Sequence, residues 1–101
     1  MAGRLLTAKF PQGLKYYLAR FVDDDVSLYY DRHIWWIRGF GVVAGSAGLP
    51  RSMRLLLDSG SEITYLDRTW KYDEFGKLAV EIEKVKLEKT LEALEDMLEA
   101  L

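Results

Sequence analysis

The chain has 101 residues, 50% of them hydrophobic and 30% charged, with a net charge of −2, which allows one domain with a single modest core and argues against intrinsic disorder. It has no cysteine and one histidine, so disulfides, thiolate sites and imidazole zinc clusters are excluded and a metal would need carboxylates alone. No stretch approaches the roughly 18 apolar residues of a membrane helix, and the N-terminus lacks the apolar segment of a signal peptide; a soluble cytoplasmic protein with no membrane partner is expected.

Charge is unevenly spread. Residues 1–72 carry ten Lys/Arg against seven Asp/Glu, whereas residues 73–101 carry four against nine. A polyanion responds to the local field, so an acidic tail that projects away leaves a basic body free to attract it. Asparagine is absent and Gln12 is the only glutamine, a loss of thermolabile types beside abundant charge that fits a thermophilic source.

In chain order, Leu5 to Phe10 reads as a strand. Pro11 then opens a run in which Leu14, Tyr17, Leu18 and Phe21 recur at helical spacing, predicting a helix over about 11–22. Asp23-Asp24-Asp25 reads as a solvated loop. Strand formers follow in Val26–Tyr30 and Ile34–Val43, a hairpin turning near Asp31-Arg32-His33, with His33 as a turn residue. Gly45-Ser46-Ala47-Gly48 reads as a flexible connector. For 50–58 strand and helix nearly tie, because Met53, Leu55 and Leu57 alternate while Leu49, Met53, Leu56 and Leu57 suit a helix; Pro50 before and Gly60 after favour a short helix. Ser61–Leu66 reads as a strand, and a long charged helix runs from after Trp70 to the end. This order predicts an α+β fold, an antiparallel four-stranded sheet covered by helices on one face and followed by a long C-terminal oligomerisation helix. The body spans 1–70 and the helix 71–101.

In that helix Leu87, Leu91, Leu94, Leu98 and Leu101 are spaced four, three, four and three, the pattern of a coiled-coil seam. A homo-oligomer, dimer or tetramer, is expected; the alternative is a helix folded back on the sheet. Leu78, Ile82 and Val85 form a second face. Glu81, Glu88 and Glu95 flank the seam, which suits an antiparallel pair or a four-helix assembly at least as well as a parallel dimer.

The body is rich in aromatics close to arginines, among them Tyr29, Tyr30, Trp36, Phe40 and Tyr65 near Arg32, Arg38 and Arg68. Rings stack on bases at about 1–3 kcal/mol each without sequence preference, and arginines neutralise phosphates. These eight residues are the candidate nucleic-acid-binding set; the alternative is that the aromatics fill a core. Alternation puts Trp36, Arg38, Phe40 and Val42 on one face of the strand, and that face is expected to be open, since burying an unpaired guanidinium is costly. Gly39, Gly41 and Gly45 miss dinucleotide spacing, and no phosphate-loop Gly-Lys-Ser/Thr occurs. No catalytic constellation and no cofactor is expected.

Arg38-Gly39-Phe40-Gly41-Val42-Val43 resembles the opening of the first ribonucleoprotein motif of RRM domains, with Val42 and Gly45 standing where that motif has aromatics. Over most of the chain, the aromatic and basic body with Tyr29-Tyr30-Asp31-Arg32-His33-Ile34-Trp35-Trp36, followed by a leucine zipper, resembles ThermoDBP and related archaeal single-stranded nucleic-acid-binding proteins. The resemblance implies a four-stranded antiparallel sheet with helices, a hydrophobic and basic cleft for single-stranded DNA or RNA, and oligomerisation through the C-terminal helix. A protein-interaction subunit with an aromatic surface is the second functional expectation.

Overall fold

A computed structural model describes residues 4–43 and 48–101, without the side chain of Leu49. Of the expected connector, residues 45–47 lie outside the described residues. Seven strands form one antiparallel sheet: β1 (Leu5–Gln12), β2 (Lys15–Asp31), β3 (Ile34–Val43), β4 (Gly48–Leu49), β5 (Arg54–Leu57), β6 (Glu62–Tyr65) and β7 (Arg68–Lys71). A 3₁₀ turn (Tyr72–Glu74) leads into α1 (Phe75–Glu99). Across the sheet the order is β4-β3-β2-β1-β6-β7, with β5 beside β4 on the same edge of β3, so seven strands fill six positions.

The expected four-stranded sheet covered by helices is therefore corrected to a six-position sheet with one α-helix among the described residues. The helix expected at 11–22 is instead the β1–β2 hairpin, paired from Leu5↔Val22 to Gln12↔Lys15. Gly13, at φ 63°, supplies the first position of a two-residue hairpin turn. Pro11 is tolerated because β6 pairs with β1 at Thr7–Lys9, leaving β1 without an outer strand neighbour at Pro11 among the described residues. Residues 50–58 contain strand β5 rather than a helix.

Core side chains come from one face: Leu6, Ala8 and Phe10 of β1, Ala19, Phe21, Val26 and Leu28 of β2, Ile37 of β3, Leu57 of β5, Ile63 and Tyr65 of β6. Onto them α1 lays Phe75, Leu78 and Ile82, all fully buried, and half-buried Val85. Burial of three such side chains stabilises the helix by about 5–9 kcal/mol, which fixes its first half on the sheet.

Strand β2 carries the main irregularity. Its register with β3 runs to Phe21↔Gly41 and resumes at Val26↔Gly39, so residues 22–25 oppose Phe40 alone. The aspartates expected as a solvated loop lie in this bulge. Asp23 is turned into the core, where its carboxylate accepts from Tyr65 Oη at 2.7 Å, Lys89 Nζ at 2.9 Å and the Arg4 N–H at 2.8 Å. Asp25 pairs with Arg51. Turns Arg32-His33 and Leu66-Asp67 have positive φ at both residues, the geometry of tight hairpins; His33 is thus a turn residue.

Candidate functional site

With α1 on one face, the other is open among the described residues. On β3 Ile37, Gly39 and Gly41 are buried, whereas Arg38, Phe40 and Val42 are exposed. Directly paired residues of antiparallel strands point the same way. Through the pairs Tyr29↔Trp36, Arg20↔Val42, Trp36↔Leu56 and Arg38↔Arg54, residues Arg20, Tyr29, Arg54 and Leu56 therefore join Trp36, Arg38, Phe40 and Val42 on that face.

Cations sit over the rings of this face. The Arg54 guanidinium lies 4.0 Å from the Trp36 ring centroid, that of Arg38 5.6 Å from Tyr29, that of Arg51 5.6 Å from Phe40, and Lys9 Nζ 4.3 Å from Tyr16. Trp36 is oriented by its Nε1–H, which donates to the Asp31 carbonyl at 3.2 Å. Arg54 and Arg51 also pair with Asp31 and Asp25 at 3.4 and 2.7 Å. Such exposed pairs contribute under about 1 kcal/mol each, so an anion can compete for the cations. Arg20 and Arg38 make no ion pair among the described residues. Leu5, Leu18, Val22, Phe40 and Val42 line, with Arg20, a hollow of about 360 Å³, within the size range of small-ligand pockets.

The eight candidate residues are not brought together as a set. Tyr29, Trp36, Arg38 and Phe40 share the open face. Tyr30 has the opposite parity, is 55% exposed and leans on Trp35 with centroids 5.3 Å apart; Arg32 is exposed in the adjoining turn. Tyr65 is corrected to a core residue: it is 1% exposed and its hydroxyl is committed to Asp23. On β7, four strand spacings or about 19 Å from β3, Arg68 sits over Trp70 at 3.8 Å and pairs with Glu74 of the 3₁₀ turn. Arg20, Arg51, Arg54 and Lys9, outside the candidate set, supply further cations at this face. The alternation of Met53, Leu55 and Leu57 is the signal that would have turned Arg54 and Leu56 outward.

Among the described residues no group of three or more His, Asp or Glu is placed to hold a metal ion, and no helix is long and apolar enough to cross a membrane. The glycines of the RRM-like segment answer to packing. A Cβ on Gly41 would come within 2.7 Å of the Arg20 carbonyl and the Phe21 ring, and one on Gly39 would strike the Asp25 carbonyl in the bulge.

The leucine seam is uncovered. Lys86 Nζ donates to the Val26 carbonyl and Lys89 to Asp23; beyond Lys89 every residue is exposed, and the molecule measures 56 Å along its longest axis against 29 and 27 Å across. Leu87, Leu91, Leu94, Leu98 and Leu101 are each at least 50% exposed, as is Val80 nearer the body.

No protein-family model, curated protein or solved structure matches the chain.

Proposed function

We propose that the open sheet face binds single-stranded DNA or RNA without sequence preference, and that copies of the chain associate through the exposed seam of α1. The observation that carries the reading is the placement of a guanidinium over an aromatic ring, at 4.0 Å for Arg54 on Trp36 and 5.6 Å for Arg51 on Phe40 and Arg38 on Tyr29. A base approaching Trp36 would meet the Arg54 guanidinium, which can itself stack on π-faces. Phosphates are met by Arg20 and Arg38, which carry no acid partner among the described residues. The reading assigns no catalytic step.

A second reading, a surface for a protein partner, draws on the aliphatic share of the face, where Leu5, Val42 and Leu56 are 47–60% exposed; exposed apolar patches of this kind mark interaction sites. Titration of a fluorescently labelled single strand at two salt concentrations separates the two. The nucleic-acid reading requires binding that weakens steeply with salt, and absence of binding at low salt would remove it.

A further inference from the structure

The outward face of α1 has a direction written into it. On the reading that this seam joins two copies, we infer that they pair antiparallel, Leu91 of each packing against Leu94 of the other and Leu87 against Leu98. The seam positions from the body outward are Lys77, Val80, Lys84, Leu87, Leu91, Leu94, Leu98 and Leu101, spaced alternately three and four. Phe75, Leu78 and Ile82 of the same helix are buried on the sheet, so this stripe is the face left for a partner.

In a parallel pair each residue meets its own copy, which sets Lys84 against Lys84 and Lys77 against Lys77 within the seam. In the antiparallel register the Leu87·Leu98 and Leu91·Leu94 layers, each occurring twice, are contiguous, and Lys84 moves to the edge opposite Leu101. That edge is the last turn of the partner's helix. It has no basic residue and carries Glu95, Asp96 and Glu99 nearby, charges of the wrong sign for the negative pole of a helix. Lys84 supplies the missing cation. Sliding the pair by one heptad to Lys84·Leu94 and Leu87·Leu91 would return lysines to the interior layers, and sliding it the other way, to Leu91·Leu101 and Leu94·Leu98, would leave Leu87 unpartnered, so the register is specified together with the direction. The flanking glutamates do not discriminate: Glu83 faces Glu88 in the parallel pair and Glu88 faces Glu95 in the antiparallel one.

Geometry permits the pairing. The overlap covers residues 84–101, of which 84–99 are about 24 Å of helix, and the sheet contacts the opposite face of α1 only as far as Lys89. Two bodies would then lie at opposite ends and on opposite sides of the helix pair, with both open faces outward.

The chain has no cysteine, so single cysteines report the arrangement directly. Leu87→Cys and Leu98→Cys, both at exposed positions, are prepared as full chains with one carrying a mass tag, mixed in equal amounts and mildly oxidised. Antiparallel pairing is expected to give the mixed Leu87–Leu98 disulfide as the main product in mass spectrometry. Like-with-like disulfides of each variant would establish a parallel pair and overturn the inference. A dimer by light scattering without the mixed product would place the interface elsewhere and overturn it too, whereas a wild-type monomer would remove the self-association reading on which it rests.

Discussion

At Gly39 the backbone has φ of 157° and lies against the Asp25 carbonyl, leaving no room for a Cβ. Gly39→Ala is expected to cost about 3 kcal/mol or more, combining overpacking with a backbone conformation that side chains resist; a wild-type midpoint in urea for the variant would contradict this placement of the bulge. Phe40 and Arg38, one residue away on either side, face solvent and should behave differently. Phe40→Ala is expected to leave stability near wild type and weaken oligonucleotide binding by about 1–3 kcal/mol. Arg38→Gln should weaken binding to all sequences alike and lower the salt slope by about one. The residues of the RRM-like segment thus divide by side: glycines where backbone and Phe21 press on the strand, polar and aromatic residues on the solvent-exposed side.

The helix is held to the sheet by an ion pair reaching across most of the chain. Asp23 is 1% exposed; burial acts to raise its pKa, but hydrogen bonds from Tyr65, Lys89 and the Arg4 N–H outweigh this and hold it below the ordinary carboxylate value. Burial first, and then Asp23 itself, push the Tyr65 hydroxyl upward. A carboxylate with a lowered folded pKa stabilises fully above its unfolded value near 3.9 and loses that contribution as pH falls through the folded value. Asp23→Asn is therefore expected to cost about 1–3 kcal/mol at pH 7, moderated because Lys89 is 25% exposed, with the gap to wild type closing below about pH 4. Melting temperatures from pH 7 to pH 2 test this; a gap unchanged at pH 2 would show that packing rather than charge carries the effect. Seam substitutions act beyond this anchor, so Leu91→Glu with Leu98→Glu should leave the melting profile of a dilute sample intact.

For the whole molecule, the body presents its rings on one side while the helix projects its leucines from the other. On the proposed reading, joining copies would raise the effective concentration of weak sites along one strand. Leu91→Glu with Leu98→Glu is expected to lower the mass in light scattering and weaken binding to long oligonucleotides by about 10²-fold or more, with short ones unaffected. Equal losses on long and short strands would argue against avidity. The long helix, the β2–β3 hairpin and its turn were legible because each has its own period or turn residues. The strands at 15–22 and 54–57 were not, because the open face is itself apolar: Leu18 and Leu56 stand between inward-facing neighbours and erase the alternation that marks a strand. What the chain determined by itself is therefore local and periodic: the helix, its seam, the outward parity of Arg38 and Phe40. Tertiary structure alone decided the number of strands, the burial of Tyr65 and Asp23, the distance of Arg68 from β3 and the pairing of Arg54 with Trp36, because each depends on which distant strands or helix turns come to lie side by side.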